Sequence, residues 1–429
     1  MTTQFISVGI DVGSDFSFMS LALPDQTYIG KPFKIIHEKH DSLENAIEII
    51  KKAEEQHNLK ARIVLESTSF YHYPLFYYLT DRSFDTVVIN PIISKKSTNM
   101  NIRKVHNDKF DSKKLAFIGL NRNLKTSIIP EKAIISLRNL IREYHNLVDE
   151  RSKKVIKLSG ILKISMPEYE HIFSKITTKA SLALLEKYPC AKDILAAKKS
   201  TIIALIKKTS MSSNSYAKTT YDALKSTAQS AKTFGCYLPS NSLQIRTLIK
   251  FIKIYDEAIC NIFNEITSLI KENSNKKFIK QIHLLDSIKG IGFISAATLM
   301  CEIGDFSVFR SPKQLVAYFG IDPSVIQSGN FKGSEVKMSK RGSSLARRIL
   351  FIAAISSIGL TRNDVPNNEV LRTYYLEKCK SKPKMVALGA VMHKICFIIF
   401  SVLRNEKEFV IITPEEQIAN YKQKHNKVA

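Results

Sequence analysis

The sequence has 429 residues, room for two to four domains of ~100–200 residues each. Its 44% hydrophobic and 24% charged content is that of a globular chain and excludes a disordered one. Lys and Arg total 64 against 39 Asp and Glu, a net charge of +25, so the partner it favours is a polyanion: nucleic acid or an acidic membrane surface.

Phe5 to Ile10 reads as a strand ending in Asp11, followed by a turn at Val12-Gly13-Ser14. Phe16 to Leu23 and Tyr28 to Ile36 read as two more strands. Ser42 is expected to cap an amphipathic helix to about Gln56, with Leu43, Ala46, Ile47 and Ile50 on one face. A short buried strand, Arg62 to Leu65, ends at Glu66. A helix near Tyr71 to Leu79, a strand at Thr86 to Ile89 and a helix after Asp111 follow. This order predicts a mixed α/β domain over residues 1–125.

The middle, residues 126–283, reads as helical. Ile134, Leu137, Ile141, Tyr144, Val148, Val155 and Leu158 keep 3-4 spacing except where Arg151 interrupts the seam, and a cleaner run follows at Ile245, Leu248, Ile252, Tyr255, Ile259, Ile262, Ile266 and Leu269. Repeats this long predict coiled-coil packing, within one chain or across a dimer. Between them lies a Lys- and Ser-rich helical insert (166–240), with a loop at Met211 to Tyr216. A mainly α-helical third domain covers 284–410. It holds the turn Lys289-Gly290-Ile291-Gly292, a helix from Ser295 through Cys301, a helix start at Ser311-Pro312, a basic loop from Gln327 to Gly342 and an apolar helix from Leu345 to Ile358. Residues 411–429 form a polar tail.

Other classes fall away along the same pass. Met1-Thr2-Thr3-Gln4-Phe5 lacks the basic-then-apolar pattern of a signal peptide. The most apolar stretch, Val386 to Leu403, is broken by His393 and Lys394, so no membrane span is expected. The six cysteines are scattered without a C-x-x-C pair, which argues against a zinc finger or disulfide framework and for a reducing cytoplasm. The charge is uneven: residues 1–120 net +1, 121–283 net +15 and 284–429 net +9.

Three constellations can carry chemistry. Asp11 and Glu66 end neighbouring strands, and Asp108 and Asp111 are three apart and share a helical face. Four carboxylates so placed offer the oxygen donors that two hard cations need, and two such metals promote phosphodiester chemistry. Taken singly, each acid also fits a turn, an exposed strand end or a solvated helix start. Lys289, Gly290 and Gly292 form a hairpin between helices whose backbone N–H groups can face a phosphate; the alternative is a plain tight turn. Ser328 lies in a loop edged by Lys332, Lys337, Lys340 and Arg341, cations that can hold phosphates around a nucleophilic hydroxyl. No His or Asp stands at triad spacing, so acyl transfer is disfavoured.

These residues match a family pattern. Gly9-Ile10-Asp11-Val12, Leu65-Glu66-Ser67-Thr68 and Asp108-Lys109-Phe110-Asp111-Ser112 resemble the acidic signatures of the DEDD transposases of insertion sequences. Gly290-Ile291-Gly292, Phe319-Gly320-Ile321-Asp322-Pro323, Ser328-Gly329 and Ser339-Lys340-Arg341-Gly342 resemble that family's second domain, and the pilin-gene invertases share the architecture. The resemblance implies an RNase H-like, RuvC-like N-terminal domain and a C-terminal domain with a helix-hairpin-helix-like element. It implies Mg²⁺ (Mn²⁺ as an alternative) on Asp11, Glu66, Asp108 and Asp111. It also implies attack on DNA by a serine, carried to Ser328 with Ser339 as second candidate, through a covalent phosphoserine link. The implied partners are donor and target DNA, a structured bridge RNA, and further copies of the chain: dimers meeting in a tetramer, with the acids and the serine from different protomers. The implied setting is the cytoplasm, at the nucleoid.

The chain departs from the pattern at His106-Asn107, where Lys-Thr is common, at Ser112, where alanine is usual, and in the length of its insert. Other readings remain: a sugar-kinase or actin-like ATPase, from Gly9 to Ser14; a hydrolytic junction nuclease; and a non-catalytic nucleic-acid scaffold.

Overall fold

The structure, a computed structural model, describes residues 4–67, 71–89, 107–121, 124, 131–323, 327–328, 331–332, 337–413, 415–416 and 418–419. The chain divides into two compact units, 1–130 and 131–429.

The first unit is built on a five-stranded mixed sheet: β1 (Phe5–Val12), β2 (Phe16–Ala22), β3 (Tyr28–Ile36), β4 (Lys60–Glu66) and β5 (Asp85–Ile89), in the order β3-β2-β1-β4-β5. β1 pairs antiparallel with β2 and parallel with β4, and β4 is parallel to β5. This arrangement is consistent with an RNase H-like domain.

Period-two alternation assigns the faces of the sheet. Ile6, Val8, Ile10 and Val12 of β1 join one core with Ala46, Ile50 and Ala53 of α1 (His40–His57) and Leu75 and Leu79 of α2 (His72–Thr80). The other face carries Ser7, Gly9 and Asp11, and beyond it lies α3 (Asp108–Gly119). There Val64 and Ile89 pack with Leu115 and Ile118.

Two helix starts differ from expectation. α1 begins at His40 with Lys39 at the cap position, because the Ser42 hydroxyl is used elsewhere: it accepts from Ile36 N at 2.9 Å and ties the helix to the end of β3. α3 begins at Asp108 rather than after Asp111, because Asn107 caps it by accepting from Lys109 N at 3.1 Å.

The second unit is helical. α4 (Lys132–Ser165) and α9 (Pro239–Glu272), 34 residues each, are ~50 Å long at 1.5 Å per residue. They pack against each other antiparallel within the one chain. At one end Leu137 and Ile141 share a core with Ile266 and Ile270; at the other, Leu158 and Leu162 share one with Ile245, Leu248 and Ile252. Between His145 and Leu158, and between Ile252 and Ile266, every residue is at least partly exposed. The Arg151–Asp256 pair, 2.5 Å apart, spans this middle stretch. The heptad pattern thus ends in a core at each tip.

The insert closes the Leu158 end with α5 (Lys179–Lys187), α6 (Ala191–Ala196), α7 (Lys199–Ser210) and α8 (Asn214–Phe234), packed around Tyr169, Leu185, Ile202, Ile206 and Leu224. The loop expected at 211–216 shrinks to three residues. Ser213 caps α8, its hydroxyl accepting from Tyr216 N at 3.2 Å.

The C-terminal core comprises α10 (Lys277–Asp286), α11 (Phe293–Ile303), α12 (Pro312–Phe319), α13 (Ser344–Ile358), α14 (Glu369–Cys379) and α15 (Lys384–Asn405). The domain boundary expected at 283/284 falls inside α10. By length and composition α15 is apolar enough to cross a membrane, contrary to the sequence expectation, yet half of its most apolar window is buried, with Val391, Ile395 and Ile399 in the core.

Candidate nucleic-acid processing site

Asp11 is the penultimate residue of β1 and Glu66 the last of β4. Because Ile10 is level with Leu65 in the parallel ladder, the two acids stand side by side at the carboxyl ends of their strands. Both lie on the α3 face, two residues on from Gly9 and Val64 respectively. Asp108 and Asp111 occupy the first turn of α3, where the helix dipole favours carboxylates.

The glycine makes this proximity possible. A Cβ on Gly9 would run into the backbone of Ser112, Leu115 and Ala116, and one on Gly119 would meet Ser7 and Val64. α3 therefore lies directly on β1. Ser112 is buried and adds a polar stitch. Its hydroxyl lies 2.8 Å from that of Ser20 on β2 and 3.0 Å from the Lys109 carbonyl. The signal for this role was in the sequence: a serine on the face that a helix must bury.

The Asp11 carboxyl is pushed up from 3.8 to about 7, first by burial and then by the negative charges of Asp111, Asp108 and Glu66. The structure thus brings all four predicted acids into one electrostatic neighbourhood. As hard oxygen donors carrying excess negative charge, they fit divalent cations such as Mg²⁺ or Mn²⁺ in chemistry. Their spacing is looser than ligation: among the described residues no group of three or more His, Cys, Asp or Glu side chains stands in metal-holding geometry.

The predicted serine site lies in the second unit. Ser328 is in β6 (Gln327–Ser328), which pairs antiparallel with β7 (Phe331–Lys332), Ser328 opposite Phe331. The side chains of Ser328 and Lys332 lie outside the described residues. Lys337, Lys340 and Arg341 are exposed on the returning segment. Ser339, the second serine candidate, has its hydroxyl on the Asp322 carboxylate.

The glycine hairpin divides its labour differently from expectation. Gly290, at φ +102°, is pressed against α13: a Cβ there would strike Ser357 Oγ and lie 2.9 Å from Ala353 O. Ser357 Oγ also donates to Lys289 O at 2.9 Å. Gly290 therefore serves packing, whereas Gly292 has open space around it and starts α11. Lys289 is exposed. The hairpin rests on the last turns of α13, while Arg341 precedes its first turn, so the two predicted phosphate-binding groups are about 15–20 Å apart along that helix.

Comparison with known proteins matches both units in chain order. Residues 8–167 match a DEDD transposase model of the IS110 type, described as transposase. Residues 282–375 match a model described as "Transposase IS116/IS110/IS902 family". This chain carries the transposase domains of the IS110/IS116 family. Among its relatives is a transposase for insertion sequence element IS1111A from Coxiella burnetii, 26% identical over 154 residues, which are 36% of this chain and 40% of the relative. A pilin gene-inverting protein from Moraxella bovis is 29% identical over 158 residues, 37% of this chain and 47% of the relative. The matched region thus spans under half the length of these curated relatives.

Proposed function

We propose that this IS110-type chain is an insertion-sequence transposase or site-specific DNA recombinase that cuts and rejoins DNA by metal-dependent serine attack. The observation that carries the reading is the Asp11 carboxyl, held at about 7 by burial and by three acids that the fold gathers from β4 and α3. A partly buried Asp11 repelled by three neighbouring carboxylates is costly by itself and suits a site that holds cations.

Asp11, Glu66, Asp108 and Asp111 hold the cations, Mg²⁺ by preference and Mn²⁺ in substitution. Bound there, a metal pair supplies charge neutralisation for the scissile phosphate. Ser328 attacks the phosphorus of one phosphodiester and loses its hydroxyl proton to solvent; the displaced deoxyribose oxygen gains a proton and leaves as a hydroxyl. One P–O bond forms and one breaks, so the phosphoserine link keeps the bond energy and the reverse attack reseals DNA without ATP.

The net +24 beyond residue 120 supports nucleic-acid binding by the helical unit. In this reading Lys289, Gly292, Lys332, Lys337, Lys340 and Arg341 contact phosphates. A structured bridge RNA pairs with donor and target DNA, and dimers of the chain meet in a tetramer.

The test is strand cleavage on a plasmid carrying the DNA that flanks the coding region. Alanine at any of the four acids should lower cleavage on the order of a hundredfold, and chelation should abolish it. Cleavage that survives both would contradict the proposal.

A further inference from the structure

The segment that carries Ser328 leaves and rejoins the C-terminal core at a single neck. Going out, Gly320 turns left-handed at φ +65°; coming back, Lys340 is left-handed at φ +53°, an unfavourable conformation for a residue with a Cβ. The two segments are in backbone contact. A Cβ on Gly320 would lie 2.5 Å from Arg341 N, and one on Gly342 would meet Tyr318 and Phe319.

Several bonds tie the neck. Lys340 N donates to Gly320 O and Ser339 N to Asp322 O, both at 2.9 Å, and Pro323 bridges to Met338. From below, one Arg347 nitrogen donates to Phe319 O at 3.1 Å and Gly342 O at 2.7 Å. One further bond is specific to the side chains: Ser339 Oγ donates to Asp322 Oδ1.

The backbone bonds can form with many residues at 322 and 339. The hydroxyl–carboxylate bond needs these two, and a charged acceptor makes it stronger than a neutral one. It also engages the hydroxyl of the one other serine that competes with Ser328 for the attacking role. We propose that Asp322 and Ser339 are positioning residues: their bond at the neck holds the β6–β7 hairpin where Ser328 can attack. The proposal rests on Ser328 as nucleophile and adds what orients it.

The test uses the full chain, hydrogen exchange, and Mg²⁺-dependent covalent adduct formation on a plasmid carrying the flanking DNA. Ser339→Ala should speed amide exchange at residues 327–328, 331–332 and 339–340 about tenfold, with α13 and the N-terminal sheet unchanged. It should slow adduct formation at saturating DNA by a similar factor, at unchanged DNA affinity. Ser339→Thr, which keeps the hydroxyl, should restore both, and Asp322→Ala should match Ser339→Ala without adding to it. Unchanged hairpin exchange in Ser339→Ala, failure of threonine to restore it, or an adduct mapped to residue 339 would overturn the proposal. If exchange responds as expected but the adduct survives Ser328→Ala, the nucleophile is misassigned; the positioning role falls with it, while the neck bond stands.

Discussion

The backbone nitrogen of Ala116 occupies the place where a side chain on Gly9 would begin. This contact sets α3 on β1 and thereby sets Asp108 and Asp111 near Asp11. Gly9→Ala must push the helix outward. The expected cost is about 1–3 kcal/mol from overpacking, read from the denaturant midpoint, together with loss of the thermal stabilisation that Mg²⁺ should confer. An unchanged midpoint and an intact Mg²⁺ response would refute the close approach.

Asp11 supplies a pH prediction. Its folded value of about 7 lies above the ordinary 3.8, so the folded state holds this proton more tightly than the unfolded one. Its contribution to stability is full below about pH 4 and is lost as pH rises through 7. In chelator, Asp11→Asn should therefore raise the melting temperature at pH 8 and change it little at pH 4. A lower melting temperature at pH 8 would mean that the acids are not packed together.

The two long helices predict an uneven response to truncation. Ile266 is fully buried in the C-terminal core, whereas Ile259 sits in the partly exposed stretch between the cores. Ile266→Ala should cost about 2–4 kcal/mol and Ile259→Ala under about 1 kcal/mol. Equal costs would favour a continuous coiled coil over a stem with a core at each tip.

The glycine hairpin separates packing from phosphate contact. Gly290→Ala meets Ser357 at a positive φ and should cost about 1–3 kcal/mol. Gly292→Ala has open space and should cost at most about 1 kcal/mol as a poorer helix start. If Gly292→Ala weakened the fold more than Gly290→Ala, the assignment would be reversed.

The strands were legible in the sequence because large apolar residues alternate with small ones: Ile6, Val8 and Ile10 face one core, while Ser7 and Gly9 lie under α3, and only one register satisfies that pattern. The acids were legible because each lies near an element boundary: Asp11 and Glu66 at the carboxyl ends of strands, Asp108 and Asp111 in the first turn of a helix. Helix starts were less so. Ser42 looks like a cap, but a tertiary partner, Ile36 N, takes its hydroxyl; Asn107, which does cap, carried no stronger local signal. The functions of Gly290, Ser112 and Ser339 depend on Ser357, Ser20 and Asp322, residues 17 to 92 positions away. No local pattern contains such pairings. Whether the long helices pair within the chain was equally open, since the seam residues are the same in either case.

The central claim is that Ser328 forms a covalent link to DNA at a site prepared by the four acids. The direct measurement is mass-spectrometric mapping of the adduct trapped with Mg²⁺ and the flanking DNA. A phosphodeoxyribose mass on the peptide containing Ser328, absent in Ser328→Ala and in Asp11→Ala, is predicted. Cleaved DNA with free ends and no modified peptide would contradict it and identify a hydrolytic nuclease instead.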